Sequence, residues 1–299
     1  MIHLLSIKLI CLFKWIVDVI SCLISVKDSS IQDGKLYYTD ISKIWSKYSN
    51  NLHEWILKLT EEFDLTFPVH DQKLNIVPCL LPDIEPEITW LDTYISNSNK
   101  LKTFIALYSF SYIPAGLFNR LQVRLYKYSD SSTIWKNGSL LRKNKHQVLI
   151  RQLPQQSTIE IKVQGVKPEN IVFLVHEVLE ILVNESYRNI KYEFSFPCPD
   201  CIDFNEENPG LFSSKVLKKA HDMKAPFLQC HSLFHAISIQ DMISIVPIDG
   251  LTSNLDLNLE YSLRDLKTIK QKLKYDVLFW FCHSDVTNFD LTKSINPLE

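Results

Sequence analysis

The run Thr158-Ile-Glu-Ile-Lys-Val-Gln164 alternates apolar and polar residues without a break, the pattern of a half-buried β-strand. A strand of this kind needs neighbours along its edges and a cover for its apolar face. The surrounding chain must therefore supply a sheet and something that packs on it. Candidate neighbours precede it: Thr103 to Tyr112, Leu121 to Tyr128, Thr133 to Leu141 and His146 to Gln152, with Trp135-Lys-Asn-Gly138 as a turn between apolar runs. The stretch Tyr108 to Tyr126 reads as a strand, a Pro-Ala-Gly-Leu-Phe turn or short helical turn, and a second element. In that element Leu121, Val123 and Leu125 alternate with Gln122 and Arg124, which predicts a half-buried strand or a helix-to-strand junction. Cover for the sheet follows Gly165, where Pro168-Glu-Asn170 opens a helix whose stripe is Ile171, Leu174, Val175, Val178 and Leu182. A last strand, Ile190 to Phe196, completes a mainly antiparallel sheet domain with one long packing helix, assigned to residues 93–202.

Residues 1–92 predict a different, more helical unit. Leu4 to Val26 is apolar, but Asp18 at the centre of a membrane span would cost about 2.5–3.5 kcal/mol. Lys14, Asp18, Ser21 and Ser25 form a polar stripe opposite Leu9, Leu12, Phe13, Ile16, Ile20, Leu23 and Ile24, so a packed amphipathic helix is expected and no transmembrane segment. A short helix follows with Ile41, Ile44 and Trp45, then a clearer one with Leu52, Trp55, Ile56, Leu59 and Phe63 on one face. Phe63 to Val69 and Leu74 to Leu81 suggest a hairpin. Three helices and a hairpin are the layout of a winged-helix-like half, and the class predicted for the whole chain is α+β. Leu81 to Glu87, with two prolines and three acids, is the linker candidate. Residues 203–250 turn polar and are expected to be an irregular extension that zinc could stabilise, with Gln229 to Pro247 recovering some structure where Ile237 and Ile239 alternate with Ser238 and Gln240. Residues 251–299 are expected to form a helical tail, with Leu266, Ile269, Leu273 and Leu278 at helical spacing.

Composition narrows the chemistry. A net charge of -2 favours neither nucleic acid nor an anionic membrane as partner, and 46% hydrophobic with 22% charged residues is ordinary for a folded protein. The chain carries no GxxxxGK[ST] phosphate loop, GxGxxG loop, HRD or DFG triplet, GxSxG elbow or HExxH, so no catalytic residue is assigned. Seven scattered cysteines do not form a secreted disulfide framework and point to a reducing, cytoplasmic setting. Ligand chemistry is concentrated in Cys198-Pro-Asp-Cys201, where a CxxC turn can offer two thiolates to one Zn²⁺; Cys230, His231 and His235 are the candidates to complete a tetrahedron, with Cys230 and His235 spaced like the second half of a zinc knuckle. The alternatives are half-buried thiols at a strand end or a redox pair. Arg120 and Arg124 sit beside the Pro-Ala-Gly turn, either on a solvated face or poised for a partner's carboxylate.

Several segments, in order, resemble the COR (C-terminal of Roc) domain of the Roco protein family. They are Lys14-Trp-Ile-Val-Asp18, Asp33-Gly-Lys-Leu36 leading to Ile44-Trp45, Leu59 to Leu65, and Val77-Pro-Cys-Leu-Leu-Pro82. The strongest are Tyr112-Ile-Pro-Ala-Gly-Leu-Phe-Asn-Arg120, Trp135-Lys-Asn-Gly138, the Ile159 to Gly165 strand and Pro197-Cys-Pro-Asp-Cys201. The resemblance covers about residues 10 to 250. It implies a non-catalytic dimerisation and signal-relay module whose first half packs on a Roc GTPase domain and whose second half makes a homodimer. GTP would enter only through that Roc domain, which the resemblance places upstream and this chain does not contain. The chain would then be a fragment of a Roco GTPase or serine/threonine kinase, a truncated product, or a COR unit served by a GTPase in trans. A zinc-binding intracellular adaptor is the other reading, and residues 262–281 faintly resemble the start of a death-like domain.

Overall fold

The computed structural model describes residues 14–24, 31–90, 101–143, 146–165, 168–187, 189–204, 206–232 and 235–246, all within one compact unit. The expected tail at 251–299 lies outside the described residues. The class is α+β, and the sheets are antiparallel.

The first half runs α1 (residues 14–24), β1 (Lys35–Tyr37), α2 (Ile41–Ile44), α3 (Asn50–Glu62), β2 (Phe67–Val69) and β3 (Leu74–Ile76). Its strands form a small sheet in the order β1-β3-β2, so the hairpin gains a third strand that the sequence did not predict. Val19, Leu23, Leu36, Ile41, Ile44, Trp45, Ile56, Leu57 and Val77 make the core. Lys14, Asp18 and Ser21 of the polar stripe are exposed as expected, while Ser25 and the apolar Leu9, Leu12 and Phe13 lie outside the described residues; the buried line of α1 is Val19 and Leu23 with half-buried Trp15, and Ile24 is left 51% exposed. Helix α3 is likewise turned by one residue, about 100°. It buries His53, Ile56, Leu57 and Thr60 and leaves Leu52 at the surface. The reason is polar. Buried carbonyls at the end of α2 need donors, and His53 Nε2 lies 2.9 Å from Trp45 O and 3.0 Å from Tyr48 O. Thr60 donates to Leu57 O and meets Thr66. A count of apolar residues alone places the face on Leu52 and misses both contacts.

The second half is a seven-stranded sheet in the order β10-β9-β4-β8-β7-β6-β5. Its strands are β4 (Lys102–Phe110), β5 (Ser131–Trp135), β6 (Gly138–Lys143), β7 (His146–Leu153), β8 (Thr158–Gly165), β9 (Tyr192–Pro197) and β10 (Leu211–Ser213). The alternating strand that opened the argument is β8, paired on both edges, with β4 and with β7. Helix α5 (Pro168–Ser186) packs on β4, β7 and β8, and α4 (Leu117–Tyr126) packs beside it. Strand β4 turns Phe104, Ala106, Tyr108 and Phe110 inward at every second residue.

Helix α4 corrects the reading of Leu121 to Tyr128 as a strand. Gly116 takes a left-handed conformation, φ 79°, and starts a helix there, which buries Leu117, Phe118, Leu121, Gln122, Val123 and Leu125. Leu117, Phe118, Leu121, Gln122 and Leu125 share one face at helical spacing and Val123 is buried on another; treated as polar, Gln122 mimics a period of two. A second correction concerns residues 203–246, expected to be irregular. They contain β10 at the edge of the main sheet, α7 (Ser214–Asp222), the hairpin β11 (Phe227–Gln229) and β12 (Ala236–Ser238), and α8 (Ile239–Ile245). Ile237 and Ile239 therefore straddle a strand-to-helix junction capped by Ser238, whose Oγ accepts from Asp241 N. The linker candidate has no regular structure but is tied down along the β5–β7 side. Pro82 O accepts from Lys136 N, Asp83 from Asn137, and Thr89 O from Gln147.

Tyr108 sits at the centre of this half, fully buried, with its hydroxyl 3.1 Å from His176 Nδ1. Burial, helped by the Glu180 carboxylate, holds its phenol well above the ordinary value, so it stays neutral. Tyr108→Phe keeps the ring and loses one buried hydrogen bond. Denaturant unfolding is expected to show a loss of about 1 kcal/mol.

Candidate metal centre

Two turns, distant in sequence, meet at the β9–β10 edge of the large sheet. The first follows β9, where Cys198 N donates to Gly210 O at 2.7 Å and α6 (Pro199–Asp203) begins at once. Pro199 occupies the first helical position, which a missing N–H suits, and the turn brings Cys201 round beside Cys198. The second is the loop that closes the β11–β12 hairpin. Cys230 N donates to His235 O at 2.7 Å, so the hairpin itself sets those two residues side by side.

The four residues predicted from spacing, Cys198, Cys201, Cys230 and His235, are thereby gathered, and their donor atoms all lie within 4.8 Å of one another. Cys201 Sγ is 3.6 Å from Cys230 Sγ, and His235 Nδ1 is 3.7 Å from Cys201 Sγ and 3.8 Å from Cys198 Sγ. The three sulfurs are fully buried and His235 is partly exposed, with its ring against Phe204 at 5.6 Å. With only protein around it, burial pushes the Cys198 thiol up to about 12. Gly210 gives the cluster its room, because a Cβ there would stand 2.5 Å from Cys230 Sγ. The sequence signal for the quartet was the CxxC pair and the Cys230/His235 spacing; Gly210 carried no such signal.

Arg120 and Arg124 do not wait for an outside carboxylate. Arg120 Nη2 lies 3.2 Å from Asp64 Oδ2 and Arg124 Nε 2.7 Å from the same oxygen, while Arg124 Nη1 reaches Glu185 Oε2 at 3.1 Å. Asp64, whose side chain is 3% exposed, sits in the turn after α3 with φ 55°. Phe67 stacks on Tyr126 at 4.1 Å beside it. One buried carboxylate of the helical half thus receives two guanidiniums of the sheet half. Sequence reading missed Asp64, because a single acid after a helix carries no pattern.

A helical half with a three-stranded sheet, followed by a seven-stranded antiparallel sheet half, is the order of two matching family models. That for the C-terminal of Roc, COR-A domain matches residues 5–81, and that for the C-terminal of Roc, COR-B domain matches residues 102–245. The chain belongs to the COR domain family of the Roco proteins. The COR domain is a non-catalytic region of those proteins, and the chain contains no kinase or GTPase domain. Among known proteins it is similar to the probable serine/threonine-protein kinase pats1 of Dictyostelium discoideum, with 25% identity over 230 residues, 73% of this chain and 7% of that protein. The probable serine/threonine-protein kinase qkgA of the same organism is 33% identical over 140 residues, 43% of this chain and 9% of the relative. A Roc-COR-CHAT protease from an unknown prokaryotic organism is 26% identical over 155 residues, 50% of this chain and 14% of the relative. The chain therefore spans a small part of each. No helix among the described residues is long and apolar enough to cross a membrane.

Proposed function

We propose that this chain is a dimerisation and signal-relay module, coupling a Roc GTPase domain, in cis or in trans, to the association of two protomers in the cytoplasm. The observation that carries the reading is the joint at Asp64. A relay needs its two halves to move as one body, and a nearly buried carboxylate held by Arg120 and Arg124 resists sliding far better than an apolar contact does. Arg124 extends the joint to Glu185 in the last turn of α5, the helix that covers the sheet. A displacement of α3 is thus passed to α4 and α5 together. The module itself carries no chemistry and acts through geometry. Light scattering on the purified chain at high micromolar concentration is expected to give twice the 34.9 kDa chain mass. A monomer at that concentration removes the dimerisation half of the proposal.

A second reading concerns the parent. Relatives matched over this region are named probable serine/threonine-protein kinases, which favours a longer Roco kinase of which this chain is the non-catalytic part. Sequencing the transcript upstream of Met1 separates the two: an in-frame GTPase domain supports the longer protein, and an upstream stop codon supports a module acting in trans.

A further inference from the structure

The geometry points to a structural Zn²⁺ site formed by Cys198, Cys201 and Cys230 through their sulfurs and His235 through Nδ1. It stands apart from the Roc-coupling reading and does not depend on it. In a tetrahedral site with Zn–S of about 2.3 Å and Zn–N of about 2.0–2.1 Å, neighbouring sulfurs are about 3.8 Å apart and sulfur and nitrogen about 3.6 Å apart. The separations of 3.6, 3.7 and 3.8 Å recorded here are edges of that size, and the remaining ones stay within 4.8 Å. A small motion of each side chain closes the shell around one ion.

A disulfide between Cys201 and Cys230 would need about 2.05 Å between sulfurs and would still leave Cys198 and His235 turned toward it. An odd number of thiols with an imidazole is poorly explained as a redox pair. An iron–sulfur cluster is wider than one ion, because its ligands are shared between separate irons. Three soft sulfurs and one imidazole nitrogen at single-ion spacing select a tetrahedral, thiophilic divalent cation, for which Zn²⁺ is the usual occupant. All four positions come from protein and three are fully buried, leaving no open position for substrate, so the site is structural.

The ligands of the site come in two pairs, one after β9 and one across the β11–β12 hairpin. A two-stranded hairpin has marginal stability by itself. Zinc would clamp it to the edge of the seven-stranded sheet and hold α7 and α8, on either side of it, in place. The two-turn assembly has its own supporting residue in Gly210, where any side chain would strike Cys230 Sγ.

The test uses the full chain, expressed with zinc in the medium and purified under reducing conditions. Elemental analysis is expected to find one zinc per chain, and Co²⁺ exchange to give the intense visible bands and thiolate-to-cobalt absorption of a tetrahedral three-thiolate site. The Cys198→Ser/Cys201→Ser variant is expected to lose the zinc, whereas Cys79→Ser, at an exposed cysteine outside the cluster, keeps it. His235→Cys is expected to retain zinc and to shift the cobalt spectrum toward that of four thiolates. Gly210→Ala is expected to weaken zinc affinity by about tenfold in chelator competition, as supporting residues of metal sites do. Since the double variant can fail to fold, hydrogen exchange on wild-type protein with and without chelator gives an independent reading. Chelation is expected to expose the amides of β11 and β12 and to leave β4 and β8 protected. Folded wild-type protein without zinc and without a cobalt spectrum overturns the assignment, as does zinc that persists in the folded double-serine variant.

Discussion

Asp64→Asn is expected to lower the stability of the chain by about 3 kcal/mol, the scale for breaking a buried ion pair by removing one partner. Asparagine is the informative substitution, because Asp64 sits at φ 55° and asparagine tolerates that conformation where alanine would add backbone strain. The shape is kept while the charge and one acceptor oxygen are lost. Arg120 and Arg124 are 21% and 14% exposed, so water cannot take over fully when the carboxylate is gone. The partners are not equivalent. Arg124 holds the shorter contact, 2.7 Å, and keeps Glu185 afterwards; Arg120 makes the longer 3.2 Å contact and lies over the Tyr187 ring, 6.0 Å from the centroid. Arg124→Gln is therefore expected to cost more than Arg120→Gln. A thermal melt should register Asp64→Asn as a fall of about 6–12 °C, at about 2–4 °C per kcal/mol for a domain of this size. A double-mutant cycle between Asp64→Asn and Arg124→Gln reads the coupling directly. A coupling near zero would mean that Asp64 matters through its turn and not through its charge, and the joint would lose its role in the proposed relay.

The contrast between this joint and the sheet shows what kinds of information a sequence displays. β8 could be read because its apolar and polar residues alternate, β4 and β7 because each is a short apolar run of strand length, and α5 because a long buried helix repeats its apolar stripe over several turns. α4 could not, because Gln122 is 2% exposed and counts as polar in any pattern while it serves as core. The same limit displaced the face of α3. Polar residues that satisfy buried carbonyls, such as His53, decide how a helix is rotated, and their partners are invisible before folding. Of the candidate metal centre, each pair of ligands was legible from local spacing. What could not be read was that β10 would bring Gly210 to the same edge, or that a 29-residue separation between Cys201 and Cys230 would close to 3.6 Å. Asp64 is the extreme case, with both arginine partners more than fifty residues away.

Gly138→Ala is expected to destabilise the second half by about 3 kcal/mol, although it adds a single methyl group. The turn Lys136-Asn137 joins β5 to β6, and the register pairs Trp135 with Gly138, so the indole lies across the glycine. A Cβ at position 138 would stand 2.0 Å from Trp135 Cζ2 and 2.3 Å from Cε2. Gly138 is not in the left-handed region, so the conflict is with the ring and not with the backbone. Trp135 is 3% exposed in a cluster with Leu140 and Leu149, covered by Ile88 and Trp90. Forcing it out loses much of what a Trp→Ala truncation loses, about 3–5 kcal/mol. It also disturbs Gln122, whose amide donates to Trp135 O and Gly138 O at 2.8 Å each and lies 3.1 Å from Ser139 Oγ. Those bonds tie α4, and through it the Asp64 joint, to the β5–β6 hairpin, so the damage should reach the inter-half contact as well. The discriminating measurement repeats Gly138→Ala in a Trp135→Ala background, where the ring is no longer present to be struck. Its cost should then fall to that of an ordinary strand substitution, below about 1 kcal/mol. If the full cost persists without the indole, the glycine is required for a backbone reason, and the packing of Trp135 over Gly138 is not what fixes the turn.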